Sequence, residues 1–367
     1  MKVDPRTDSK FLTALNRVAP GTEVRAGIDD IIRAQLGALV VVGEPSDLAF
    51  LFSGGLRIDL PFTSQHLYEL AKMDGAIIVD SSMSRLVYAN VQLMPDANIP
   101  ALESGTRHRT AERVAKQSEA LVLAVSQQRE TLTLFIGQDK YQLGRIADIL
   151  GRTNQALATL DTYCSRLDGA LARLTAHEFQ NAVMLDEVLV VLQRAEMASR
   201  IAAEIELDCA ELGQEGRLVR MQMDYLMERV PRNKAAVVFD YQVVDDAAEA
   251  AVRLERLAEL PTQSLLGIGD LGRLLGFEAD VGPSDESVSP RGYRMLSRIP
   301  RVPEGIIRHV VRDLGSLDAI VRASHRELEA VEGVGTVRAR EIRDGLRRLR
   351  EHNLVDRYLK LQSGSSM

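Results

Sequence analysis

Apolar positions change their spacing twice along this chain, and each change marks a different kind of structure. Between residues 11 and 36, Leu12, Leu15 and Val18, then Ile28, Ile31 and Ile32, recur at the three- and four-residue intervals of an amphipathic helix, and Pro20-Gly21 interrupts them. Leu39 to Val42 is continuously apolar and ends at Gly43, which predicts a strand covered on both faces. Leu48–Phe52 reads as a second strand and Gly54-Gly55 as a tight turn. Thr63 is placed to cap a helix over Ser64–Met73, with Leu67, Leu70 and Ala71 on its inner face. Asp74-Gly75 opens the apolar strand Ala76–Val79; a hairpin around Ser81–Ser84 leads to the strand Leu86–Leu93. A helical pattern begins at Ala111, and Ala120–Val125 and Thr131–Ile136 read as further strands. Strands mixed with helices, several of them wholly apolar, predict an α/β domain over residues 1–145, a mixed sheet flanked by helices.

After Gly144 the period becomes purely helical. No proline occurs between Pro100 and Pro231, and no glycine between Gly169 and Gly213. Leu157, Leu160, Cys164, Leu167, Leu171 and Leu174 form one stripe, and Leu185, Val188, Leu192 and Ala195 another, as in long helices packed together or against a partner chain. Residues 146–285 are therefore expected to be an all-α spine without chemistry of its own. Val237-Val238-Phe239 reads as a short strand, and the rest of 212–245 has no assigned element. Residues 280–290 are polar and contain Gly282, Pro283 and Pro290, the composition of a linker.

Beyond the linker, Glu332-Gly333-Val334-Gly335 separates a helix over Arg326–Val331 from one over Thr336–Arg350. Glycine, hydrophobe, glycine between two helices is the helix-hairpin-helix pattern, in which the backbone approaches a DNA phosphate and the next helix offers its N–H groups. Ile299-Pro300-Arg301-Val302-Pro303 looks like a glycine-less first copy. Arg338, Arg340, Arg343, Arg347 and Arg348 follow on the second helix. Residues 286–360 are thus expected to be an all-α domain that binds DNA through Gly333, Gly335, Arg338 and Arg340, and 361–367 a disordered tail. This segment holds sixteen Lys and Arg against eleven Asp and Glu, a balance of +5, whereas the whole chain is −7, leaving −12 elsewhere. A basic tail on an acidic body fits contact with nucleic acid.

At 367 residues the chain is long enough for two or three domains. The N-terminus lacks the apolar core of a signal peptide and no stretch reaches membrane-spanning length, so a cytoplasmic protein without membrane contact is expected. Cys164 and Cys209 lack metal-ligand spacing and read as buried thiols.

The densest chemistry lies at Ser104-Gly105-Thr106-Arg107-His108-Arg109-Thr110, just before a helical pattern. Guanidinium forks beside helix-terminal N–H groups suit a polyphosphate. Asp74-Gly75 supplies a carboxylate at the mouth of a strand, as a divalent ion or an attacking hydroxyl requires. No P-loop and no paired-carboxylate nuclease pattern is present. His108 has no second His or Cys at ligand spacing, so it reads as a phosphate or metal-water contact before a zinc ligand.

Asp74-Gly75-Ala76, then Ala89-Asn90-Val91-Gln92-Leu93, then Arg107-His108-Arg109-Thr110 resemble the diadenylate cyclase domain. With the helix-hairpin-helix tail, the likeness covers nearly the whole chain and points to the DNA integrity scanning family of diadenylate cyclases. The resemblance implies that two ATP molecules condense to cyclic di-AMP and two pyrophosphates with Mg²⁺ or Mn²⁺. It also implies two domains facing each other within an octamer joined through the spine; because the spine joins tail to cyclase, branched DNA at the tail is expected to lower activity. Carried over by position, Asp74 serves the 3′-hydroxyl and the metal, and Gly75 and Leu93 contact the nucleoside. Thr106, Arg107, His108, Arg109 and Thr110 hold the triphosphate, with Asp74, Arg107, His108 and Arg109 catalytic. Some relatives carry Ser-Glu-Glu where this chain has Ser126-Gln127-Gln128-Arg129, so a metal carboxylate is missing there; Ser126 and Arg129 remain candidates for phosphate contact. The rival reading is an inactive ATP-sensing scaffold that binds branched DNA.

Overall fold

The computed structural model describes residues 8–244, 246–277 and 286–364. The first 142 residues build one sheet. Its strands are β1 Ala38–Val42, β2 Phe52–Ser53, β3 Leu56–Pro61, β4 Ala76–Val79, β5 Arg85–Leu93, β6 Leu121–Ser126, β7 Thr131–Ile136 and β8 Asp139–Gln142. They lie in the order β2-β5-β4-β1-β6-β7-β8, with β3 also on β5; β1 and β4 run parallel and every other pair antiparallel. The sheet is therefore mixed, as the pattern predicted.

Alternation along β1 explains the layering. Val40 and Val42 point into a core with Phe11, Leu15, Ile28, Ile31 and Leu67, from α1 Ser9–Arg17, α2 Glu23–Arg33 and α4 Ser64–Leu70. Leu39 and Val41 point the other way, toward α3 Pro45–Leu48 and the Ala111, Val114 and Ala115 face of α5 Thr106–Ser118. A strand sandwiched between helices loses its polar face, which is why Leu39–Val42 is unbroken in the sequence.

Two local readings are corrected. Leu48–Phe52 is not a strand. Pro45 starts a helical turn that continues through Leu51 in a tighter 3-10 form, and only Phe52-Ser53 pairs with β5. Pro45 at a helix start supplies the φ that a turn needs, and this outweighs the apolar run. The functional helix begins at Thr106 rather than after Thr110. Thr63 caps α4 as expected, its hydroxyl accepting from the N–H of His66 at 3.1 Å, but the helix ends at Leu70.

The remaining helices are α6 Ile146–Gln180, α7 Leu185–Leu212, α8 Arg217–Met227, α9 Val230–Tyr241, α10 Ala247–Glu259, α11 Thr262–Leu266, α12 Ile268–Leu275, α13 Tyr293–Leu296, α14 Glu304–Leu314, α15 Leu317–Arg322, α16 His325–Glu329 and α17 Thr336–Gly364. Val237-Val238-Phe239 is thus helix, not strand: Val237 and Val238 are buried on the inner face of α9, and burial selects apolar residues in either geometry. The expected disordered tail is also revised, since α17 runs through Gly364; residues 365–367 lie outside the described residues. Of the expected linker, residues 280–285 likewise lie outside them. Its end instead forms a ladder, Ser287–Val288 against Val183–Met184.

The chain divides into two compact units, residues 1–156 with 204–222, and 157–203 with 223–367. In the first, the C-terminal part of α7 joins the sheet domain: Glu211 accepts from the Tyr141 hydroxyl at 2.6 Å and from the Gly144 N–H at 2.7 Å. In the second, the tail helices share a core of Met295, Leu296, Ile307, Val310, Leu328, Ala339 and Ile342, with Phe179 of α6 packed on it. A buried polar lock ties the start of the tail to the spine. Asp240 accepts from the N–H groups of Gly292, Tyr293 and Arg294 at 2.7, 2.6 and 2.9 Å, and Arg294 pairs with Glu178 and Thr175. Burial and the Glu178 charge push the Asp240 carboxyl up to about 7, against the Arg294 N–H and charge. Removing one member of such a pair costs about 3–5 kcal/mol, because the other charge stays buried.

Candidate active site

The N-terminus of α5 is the unusual feature of the first unit. Gly105 stands at its cap and no side chain accepts from its first N–H groups; the first intrahelical bond runs from Arg109 to the Gly105 carbonyl at 2.8 Å. The first turn holds no acid, yet it carries Arg107 and Arg109. Both charges sit at the positive end of the helix dipole, and among the described residues neither has a carboxylate partner. Uncapped N–H groups and unpaired guanidiniums at one helix end call for an anion from outside.

The approach to this helix is fixed from within. Glu112, buried on α5, accepts from the N–H groups of Leu102 and Glu103 at 2.9 and 3.1 Å and pairs with Lys116 at 2.8 Å. Burial would raise its pKa, but Lys116 and those N–H bonds hold the carboxyl below its ordinary value. Arg113 and Lys116 donate to the carbonyls of Ile99 and Pro100 at 3.0 and 2.8 Å. The loop before Gly105 is thereby strapped along α5, leaving the helix end open.

Strand register gathers the remaining candidates at one end of the sheet. Gly37 precedes β1, whose Ala38 pairs with Val125, so Ser126 lies at the same end; β4 is parallel to β1, which adds Asp74-Gly75. Ala76 pairs with Val91, bringing Leu93 alongside. Arg107 reaches this end, because a Cβ built on Gly37 would stand 2.6 Å from the Arg107 guanidinium carbon and 2.9 Å from one of its nitrogens. Gly37 is bare where Arg107 lies across it.

Asp74 is exposed, and among the described residues nothing engages its carboxylate. Asp80, at the other end of β4, contrasts with it. Its carboxylate accepts from the N–H groups of Ser84 and Arg85 at 2.8 and 2.7 Å, so it is committed to the hairpin. Gly75 has φ +88°, and an added Cβ would meet the Val91 carbonyl oxygen at 2.8 Å and the Asn90 carbonyl carbon at 2.9 Å. Only glycine brings β4 this close to the irregular register of β5.

His108 is half-buried, edge-on to Phe135 with ring centroids 6.3 Å apart. Burial lowers its pKa; Lys140, Arg107 and Arg129 lower it further against the opposing pull of Glu103. In the free chain the ring is therefore biased toward its neutral form. The same charges place Arg129 within its field. Ser126 is committed locally, its hydroxyl accepting from the Arg129 N–H at 3.2 Å to close the β6–β7 turn, while the Arg129 side chain is exposed and unpaired among the described residues. Thr106 is exposed and Thr110 half-buried on α5.

Gly37, Glu112, Glu103 and Lys140 were not legible as site residues. The first acts by lacking a side chain; the others work through loop contacts. Lys140 pairs with Glu103 on the loop before the helix.

Comparison with known proteins gives the family. Residues 25–140 match the family described as the DisA bacterial checkpoint controller nucleotide-binding region, and residues 143–282 match its linker region. The DNA integrity scanning protein DisA of Acetivibrio thermocellus is 43% identical over 354 residues, covering 96% of this chain and 98% of that protein. Its counterpart in Symbiobacterium thermophilum is 45% identical over 351 residues, covering 96% and 99%.

The chain belongs to the DNA integrity scanning family.

It is accordingly a diadenylate cyclase, a nucleotidyltransferase, with a nucleotide-binding α/β domain followed by a helical linker. No helix among the described residues is long and apolar enough to cross a membrane. Metal fit follows from the donor set. No group of three or more His, Cys, Asp or Glu converges among the described residues, and Asp74 is an unpaired carboxylate at this sheet end. One carboxylate suits Mg²⁺ or Mn²⁺, which take their other oxygens from substrate phosphates and water.

The cyclase's tail presents the second candidate region. Gly333 has φ +79°, and Arg301, at the equivalent place in the first hairpin, adopts φ +66° despite its side chain. Both turns thus place a left-handed residue at the same point, and in the first hairpin Arg301 carries the strain that a glycine would avoid. Arg338 has a further part to play: its guanidinium donates to the Gly333 carbonyl at 2.8 Å and so braces the turn. Gly335, Thr336 and Arg340 are exposed at the start of α17. α14 begins with Glu304, a charge that opposes phosphate at the first hairpin and is partly offset by Arg308 at 2.5 Å.

Proposed function

We propose that this cyclase condenses two ATP molecules into cyclic di-AMP, releasing two pyrophosphates, and that its tail binds branched DNA and lowers that activity. The observation that carries the reading is the uncapped start of α5, with Arg107, Arg109 and Arg129 unpaired around it and Asp74 unpaired at the same sheet end. Phosphoryl-type transfer leaves a protein mainly positioning and charge neutralisation. Arg107, Arg109 and the α5 N–H groups bind and orient the triphosphate, Thr106, Thr110 and His108 donate to its oxygens, and Gly75 and Leu93 border the nucleoside. Asp74 faces the attacking 3′-hydroxyl and is placed to take its proton. Mg²⁺ or Mn²⁺, held by Asp74, supplies charge neutralisation at the phosphates.

Each domain supplies one half of a two-ATP reaction, so two copies must face each other. Leu218, Met221 and Tyr225 on α8, exposed at 67%, 58% and 77%, form an apolar stripe that favours self-association, here read as an octamer in the cytoplasm. The two hairpins favour backbone phosphates over base edges. Purified protein incubated with ATP and Mg²⁺ or Mn²⁺ should give cyclic di-AMP, less with a four-way junction present than with linear duplex. Asp74→Asn should give none while still binding ATP. Unchanged ATP with the wild type would favour the scaffold reading, and near wild-type product from Asp74→Asn would remove Asp74 from the chemistry.

A further inference from the structure

A cavity of about 460 Å³ opens in the second unit, where α6, the start of α9 and the turn after α13 meet the side of α17. Arg229, Arg232 and Asn233 line it from α9, Arg298 from that turn, and Asp168 and Thr175 from α6. Arg294 also reaches it, but its charge is cancelled by Glu178 in the buried lock. Three guanidiniums against the single carboxylate of Asp168 leave a balance of 3 − 1 = +2. Arg229 and Arg298 meet no carboxylate among the described residues, and Arg232 spends an N–H on the Ser297 carbonyl. Partial burial and the neighbouring charges of Arg294 and Arg229 pull the Arg298 pKa below its ordinary value, with Glu178 opposing. The lock between spine and tail closes without Arg229 and Arg298, and Arg232 adds only its bond to the Ser297 carbonyl.

We propose that this cavity binds a small phosphorylated anion of at least two negative charges, held by Arg229, Arg232 and Arg298. Guanidinium forks match phosphate oxygens two at a time, and the volume lies in the range of small-molecule sites, roughly 300–1,000 Å³. A concave site favours a free ligand over a DNA backbone, which protruding hairpins meet instead. Arg294 belongs both to the cavity wall and to the lock, so occupancy bears directly on the joint through which the tail is held.

The test uses the full chain with Arg107→Ala and Arg109→Ala, which silences the phosphate site of the cyclase domain. Inorganic pyrophosphate is titrated calorimetrically. One saturable site per chain is expected; adding Arg229→Gln with Arg298→Gln should weaken it at least about tenfold, the loss of one charge-assisted bond. Asp168→Asn, an exposed change without a described partner to lose, should tighten it several-fold. No binding by the folded protein, or affinity indifferent to both sets of changes, overturns the proposal. So does an equal loss of linear duplex affinity in the arginine variant, since the arginines would then belong to a DNA track. Should the arginine variant fail to fold, an unchanged affinity in Asp168→Asn overturns it alone.

Discussion

Gly37→Ala isolates the part of the site that the sequence hides. The position has an ordinary backbone conformation, so alanine itself is unstrained, and the three atoms nearest its methyl group all belong to the tip of Arg107. The guanidinium carbon would lie 2.6 Å away, and one of its nitrogens closer still, where ordinary contact begins at 3.4 Å, so Arg107 must withdraw by more than 3.4 − 2.6 = 0.8 Å. A long side chain moves that far at little cost to the fold, and a stability change within about 0.5 kcal/mol is expected. Function should respond much more. Losing the charge-assisted bonds of one guanidinium to phosphate costs about 1.5–3 kcal/mol, or roughly 10- to 150-fold in affinity or rate. Thermal unfolding, ATP binding and cyclic di-AMP formation should be measured on the same preparation, with Arg107→Ala as the reference for full loss. Wild-type ATP affinity and turnover in a normally folded Gly37→Ala would mean that Arg107 does not act from the position seen here.

Gly75→Ala should behave oppositely, because φ +88° and backbone atoms at 2.8–2.9 Å leave no flexible tip to move; a loss of about 1–3 kcal/mol should appear as a lowered unfolding temperature. His108 has a folded pKa below its usual 6.5, so below that pH the unfolded chain binds more protons and stability falls as pH falls, with no contribution above it. Unfolding of wild type and His108→Gln between pH 8 and 5 should therefore diverge toward the acid side, and a constant difference would contradict the burial argument. In the tail, Arg340→Ala should weaken DNA binding equally for all sequences and flatten the log–log salt slope by roughly 1. Arg338→Ala should lose more than Arg340→Ala, because it also frees the Gly333 carbonyl.

Much of this protein is written in one dimension. The period-two and continuous apolar runs specify the strands, since a strand between helix layers must be apolar on both sides. The three- and four-residue stripes specify the long helices of the spine. The charge cluster at Thr106–Thr110 and the unpartnered Asp74-Gly75 are local facts of sequence, and so are Gly333 and Gly335. Short elements were less legible: Leu48–Phe52 and Val237–Phe239 are apolar because they are buried, and burial does not distinguish a helical turn from a strand.

Tertiary structure alone decided what those local facts face. Parallel pairing of β1 with β4 and antiparallel pairing with β6 bring Gly37, Asp74 and Ser126 to one sheet end from positions up to 89 residues apart. Glu112 reads as an ordinary helix residue until its carboxylate is seen to hold the loop that opens the helix end. Arg338 reads as a DNA contact from the sequence, and only the fold shows that it also braces the turn through Gly333. Arg301 reads as a defect in a hairpin until its φ shows that it takes the left-handed conformation of Gly333 without being glycine. Periodicity reports which face of an element is buried, because burial acts on each residue singly. It does not report which elements meet, because strand pairing and side-chain bonds join residues whose separation along the chain leaves no mark on either.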